Sequence, residues 1–237
     1  MLLLHPLLGL ILGIGAGAIA AGVFYWPVPY PWFKAQLVTG QVKPSDGPPS
    51  GETPEQTAKR LRAESNNAMF AVGVAGVLIG GFLGLGEGLA RRSGREAIVL
   101  ALLGSILGGL FGAVGGMVGH HLAITYEFNL SMSELGRTML IHGTALVSLC
   151  AGVALGVSLA TRSVAMISRN LVAGILAGIL ATLLFTVVTS FAFPGVRTQT
   201  VIPQGSGSEL ASALLVWLAA TGGLVGLMVP ALGRAQH

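Results

Sequence analysis

The chain has 237 residues, of which 53% are hydrophobic and 9% charged, with a mean hydropathy of +0.79; soluble domains carry roughly 25% charged residues. This composition excludes a soluble globular domain and places the chain in a lipid bilayer. The net charge of +4 is spread over no basic water-soluble module, so nucleic acid is excluded as a partner, and the single cysteine, Cys150, allows no internal disulfide.

A membrane helix needs about 20 mainly apolar residues, and six stretches meet that length: 2–24, 68–90, 97–119, 138–160, 171–193 and 211–232. The expected fold is therefore an all-α integral membrane protein, a single domain of six transmembrane helices. The first stretch has the length of a secretory signal peptide but lacks its basic leading region, so it is expected to be retained as a helix; Gly9, Gly13 and Gly17 recur along it at every fourth position.

Segment 25–67 reads as a long outer loop. It opens on the aromatic and proline cluster Phe24-Tyr25-Trp26-Pro27-Val28-Pro29-Tyr30-Pro31-Trp32-Phe33, whose rings suit the headgroup zone while the prolines forbid continued helix. A polar Pro/Gly/Ser-rich stretch follows over 40–51. Thr53-Pro54-Glu55-Gln56 then has the form of a capping box with proline in the first turn, predicting a short surface helix over about 54–65 that runs into the second membrane helix.

The second and third stretches form a hairpin about the basic loop Arg91-Arg92-Ser93-Gly94-Arg95. Gly76, Gly80, Gly84 and Gly88 line one face of the first arm, and Gly104, Gly108, Gly112 and Gly116 line one face of the second. Such stripes let two helix backbones approach closely in a membrane. The run from Gly84 through Arg91-Arg92-Ser93 to Gly119 resembles the glycine-zipper hairpins of bacterial membrane proteins. That likeness is one of composition and transfers no active residue.

The hairpin is echoed along the chain. Gly86, Leu89, Ala90, Arg92 and Ser93 recur as Gly156, Leu159, Ala160, Arg162 and Ser163, and Gly104 and Gly108 recur as Gly174 and Gly178. Gly152 and Gly156 fall at the same offset from Gly222 and Gly226, while Gly9 and Gly13 match Gly104 and Gly108. A pseudo-threefold set of three helical hairpins is expected, one of them split between the two ends of the chain. The readable copies run in the same membrane direction, unlike the inverted repeats of many transporters.

Charge sorts by membrane side. With the N-terminus inside, the inner face holds Arg91, Arg92, Arg95, Arg162, Arg169 and Arg234, and the short outer loops hold only Arg137 and Arg197. The positive-inside rule then puts both termini in the cytoplasm, and the pattern suits a bacterial inner membrane.

Glu87 is the one carboxylate within a predicted span and stands four residues before Arg91. It reads either as an interfacial ion pair with Arg91 or as an ion site. Arg91, Arg92, Arg95 and Arg162 are candidates for lipid headgroups. His120 and His121 end the third helix and His142 lies near the start of the fourth, so His121 and His142 are weak candidates for ligating a haem iron. The hydroxyls of Thr182, Thr186, Thr189 and Ser190 either line a polar path or bond back to their own helix. Gly205-Ser206-Gly207-Ser208 has no placed histidine partner, and no serine opens a membrane helix as a rhomboid-like protease requires.

No catalytic, nucleotide-binding or metal motif stands out, so neither enzymatic activity nor a cofactor is expected. The expected function is a non-catalytic membrane subunit that scaffolds or stabilises a larger assembly, in contact with the bilayer and with other membrane subunits. The alternatives are a small-solute or ion transporter or channel, and a haem-binding electron-transfer subunit.

Overall fold

The computed structural model describes residues 4–25, 53–126, 132–159, 163–205 and 207–233. Most of the aromatic and proline cluster, the 40–51 stretch, Arg162 and Arg234 lie outside the described residues. The described chain is all-helical: α1 (Leu4–Tyr25), α2 (Pro54–Ala90), α3 (Gly94–Thr125), α4 (Glu134–Leu159), α5 (Val164–Ala192) and α6 (Gly207–Gly233). All six helices are long and apolar enough to cross a membrane, which makes this an integral membrane protein.

The helix starts follow the sequence signals. Thr53 caps α2 through a complete capping box: its Oγ1 accepts from the Gln56 amide at 3.3 Å, and its own amide donates to the Gln56 side chain at 2.8 Å. The surface helix and the second span are one continuous element of 37 residues. At 1.5 Å per residue this helix is about 55 Å long, against a hydrocarbon core of roughly 30 Å, so its first turns stand clear of the bilayer. They rest on the end of α3, where His120 Nε2 donates to the Leu61 carbonyl at 3.2 Å.

The turn between α2 and α3 takes three residues. The Ser93 amide donates to the Gly88 carbonyl at 3.3 Å and the Arg92 amide to the Leu89 carbonyl at 2.9 Å, the two bonds of a Schellman cap. That geometry puts Arg92 at φ 58°, a left-handed conformation unusual for a residue with a side chain. Ser93 then caps α3, its Oγ accepting from the Glu96 amide at 3.3 Å.

The helices pack in a regular pattern. The inner helices α2, α4 and α6 touch one another, and each outer helix spans a gap between two of them: α1 between α6 and α2, α3 between α2 and α4, and α5 between α4 and α6. Backbone meets backbone at the glycines. A Cβ placed on Gly76, Gly80 or Gly84 would overlap the backbone of Gly108, Gly104 or Leu100 in α3, and one on Gly9 or Gly13 would overlap Gly226 or Gly222 in α6. Gly174 of α5 lies against α4, where an added Cβ would stand 2.6 Å from the Cys150 carbonyl oxygen.

The segment between α5 and α6 folds into the bundle. Arg197 and Gln204 exchange backbone hydrogen bonds of 2.7 and 3.0 Å, and the turn they close buries Val196, Val201 and Ile202.

Candidate functional site

Two groups of polar side chains lie within the bundle, one near each end. The first is built around a cavity at the end that carries the α2–α3 turn. It encloses about 60 Å³, is partly open at the mouth, and is walled by α1, α2, α4, α5 and α6. Its walls are largely apolar, with Leu8, Leu12, Leu83, Val153, Val157 and Val229 among them; its polar lining residues are Glu87, Arg91 and Asn170.

Glu87 and Arg91 form the ion pair expected from their spacing, with Arg91 Nε 3.1 Å from Glu87 Oε1. Arg91 also stands 3.9 Å from Glu96, so one guanidinium faces two carboxylates. The Glu87 side chain is 17% exposed and that of Arg91 31%, and a pair so placed contributes under about 1 kcal/mol.

Asn170 was not singled out by the sequence, yet it is the most enclosed polar residue of the cavity, with 6% of its surface exposed. The hydrogen-bond network fixes its amide orientation. Ser158 Oγ donates to the Ala154 carbonyl at 2.5 Å and accepts from Asn170 Nδ2 at 2.8 Å. Asn170 Oδ1 has no hydrogen-bond partner among the described residues. A buried acceptor without a donor costs about 1–3 kcal/mol.

The second group surrounds His142 towards the other end. Its ring is fully buried, 4.6 Å from that of Phe185 in α5 and 5.8 Å from that of Trp217 in α6. His142 Nε2 donates to the Thr198 carbonyl at 3.0 Å, and the Thr138 and Thr198 hydroxyls lie 3.2 Å apart. These bonds tie the segment after α5 to α4. Trp217 and Phe185 have no sequence signal beyond being apolar; their role comes from where the helices cross.

The structure places the two histidine candidates differently. His142 is enclosed, with Nε2 engaged by Thr198, whereas His121 is exposed on α3. Among the described residues no group of three or more His, Cys, Asp or Glu side chains is arranged to hold a metal ion. Of the basic candidates, Arg91 lines the cavity, and Arg92, Arg95 and Arg169 are exposed at the same end of the bundle. The α5 hydroxyls mostly turn back on their own helix: Thr182 donates to Gly178 O at 2.8 Å, Thr189 to Phe185 O at 2.7 Å and Ser190 to Thr186 O at 2.8 Å. Compared with protein-family models, curated proteins and solved structures, the chain matches none of them.

Proposed function

We propose that the chain is a non-catalytic integral membrane subunit that scaffolds or stabilises a larger membrane assembly, sited in a bacterial inner membrane with both termini cytoplasmic. The observation that carries this reading is on α3. Its glycine face is packed inwards, and its outer face presents Ile98, Leu102, Ile106, Leu110, Val114 and Val118, all exposed and all four residues apart. A ridge of this kind, inclined to the helix axis, fits the groove of a neighbouring membrane helix. Behind it, close packing through glycine stripes makes the bundle a rigid support.

The pseudo-threefold reading of the architecture belongs to the same proposal. In its favour, the hairpins α2–α3, α4–α5 and α6–α1 take equivalent places, each with one inner and one outer helix. Equivalent close approaches pair Gly80 with Gly104, Cys150 with Gly174, and Gly226 with Gly9. Gly152 and Gly156 face Leu107 and Leu103 of α3, whereas Gly222 and Gly226 face α1, so the match between α4 and α6 is better read through Cys150 and Gly226 than through the shared glycine spacing.

Native mass spectrometry of protein extracted gently from its own membrane tests the subunit reading. A stoichiometric complex with other chains, lost in a Leu110→Trp variant, is expected. A protein that leaves the membrane alone in both forms refutes it. The cavity beside Glu87 favours transport as a second reading, which predicts that Glu87→Gln abolishes solute flux in liposomes; unchanged flux would remove it.

A further inference from the structure

From the cavity beside Asn170 and the arginines at the same end of the bundle we infer a specific site for one anionic phospholipid of the phosphatidylglycerol class. Its headgroup hydroxyl enters the bundle and both acyl chains stay outside. The inference goes beyond the subunit reading and stands whether or not the chain has protein partners.

Size decides which part of a ligand enters. A volume of about 60 Å³ has room for roughly four waters, at about 10–15 Å³ each, and is far below the roughly 300–1,000 Å³ of a site that encloses a whole small molecule. The polar end of a headgroup fits, and an acyl chain does not. The mouth opens beside a lipid-facing surface: Leu8 of α1 lines the cavity and is 42% exposed, and Leu7 and Ile11 next to it are 52% and 65% exposed. Acyl chains lie against that apolar face of α1, so the cavity is reached by a membrane lipid and not by a soluble phosphate ester.

The polar groups set the headgroup. Asn170 is 6% exposed and lines the cavity; with its Nδ2 committed to Ser158, its Oδ1 is an acceptor that has no hydrogen-bond partner among the described residues. It therefore calls for a donor. The charge at this end calls for an anion, because among the described residues Arg91, Arg92, Arg95 and Arg169 stand against Glu87 and Glu96. Both carboxylates face Arg91, at 3.1 and 3.9 Å, while Arg92 and Arg95 are exposed on the turn beyond it. A phosphate held at the mouth by Arg92 and Arg95 leaves its headgroup alcohol to donate to Asn170 Oδ1. A terminal ammonium brings a donor but adds positive charge where it is already in excess. A trimethylated ammonium has no donor, and a propyl phosphodiester has the charge and the size but no hydroxyl.

The test is native mass spectrometry of the full chain released from vesicles holding equal parts of phosphatidylglycerol, phosphatidylpropanol, phosphatidylethanolamine and phosphatidylcholine with the same acyl chains. One retained phosphatidylglycerol per chain is expected. It should be favoured about threefold to tenfold over phosphatidylpropanol, its analogue without hydroxyls, which is the effect of one net hydrogen bond. Asn170→Leu should erase that preference. Arg92→Gln combined with Arg95→Gln should lower retention of both anionic lipids at least about fivefold, the effect of one arginine near an anionic membrane surface, and keep the ratio between them. Because Asn170→Leu also breaks the bond to Ser158, the comparison of the two anionic lipids on the wild-type protein is decisive by itself. Equal retention of phosphatidylglycerol and phosphatidylpropanol, a preference for phosphatidylethanolamine, unchanged anionic retention in the double arginine variant, or displacement of the lipid by excess soluble glycerol phosphate would each overturn the inference.

Discussion

Gly108 offers the sharpest test of how this bundle is held together, because it is closed in from two sides. A Cβ added there would lie 2.5 Å from the Gly76 carbonyl oxygen in α2 and 2.8 Å from Val153 Cγ2 in α4. Ordinary contact begins near 3.4 Å, so Gly108→Ala requires α3 to move from α2 by about 0.9 Å while Val153 blocks part of that path. Overpacking of this kind costs about 1–3 kcal/mol, and the better helix propensity of alanine returns up to ~1 kcal/mol. A net loss of about 1–2 kcal/mol lowers the melting temperature by roughly 2–8 °C in a chain of this size. Gly15 is the control, since nothing lies within 4 Å of an added Cβ there. Gly15→Ala should be neutral or up to ~1 kcal/mol stabilising. Both are measured in one mild detergent, by thermal unfolding followed by circular dichroism and by titration with a denaturing detergent. If Gly108→Ala proves as stable as Gly15→Ala, close backbone approach is not what holds α2 against α3.

Two further outcomes follow from the packing. His142→Ala removes a ring set against Phe185 and Trp217 and should destabilise by about 2–4 kcal/mol. His142→Phe keeps the volume but leaves the Thr198 carbonyl without its donor; both variants should speed amide hydrogen exchange over 194–205, and unchanged exchange would show that His142 does not tether that segment. Cys150, the single cysteine, is fully buried between α4 and α5, so a membrane-permeant maleimide should label it only after unfolding; rapid labelling of the native protein would mean that α4 and α5 part readily.

Much of this architecture can be read from residue order. Six apolar runs become six helices, Thr53 with Gln56 marks the start of α2, and Glu87 with Arg91 forms the expected pair at the turn. Each of these depends on neighbours within a few positions along the chain. The α2 boundary was harder, because polar residues over 54–67 look like a separate surface element, whereas unbroken helical hydrogen bonding carries the helix straight from water into the apolar span. The segment over 193–205 reads as a plain loop, yet it buries Val196, Val201 and Ile202 against the bundle.

The candidate site was half legible. Glu87 stands out as a charge in an apolar run, but Asn170 stands beside Arg169 just ahead of the apolar run over 171–193 and resembles any polar boundary residue. Only the meeting of α4 and α5 commits its Nδ2 to Ser158 and leaves its Oδ1 inside a cavity. His142 and His121 look alike in sequence, and the helix packing encloses one and exposes the other. The sequence by itself determined which segments enter the membrane and where their small faces lie, because transfer into lipid and helix periodicity are local properties of the chain. The tertiary structure alone decided which helices are inner and which outer, which polar atoms lose their partners, and where space is left between them. Those depend on contacts between residues far apart in the chain, which hydropathy and spacing do not encode.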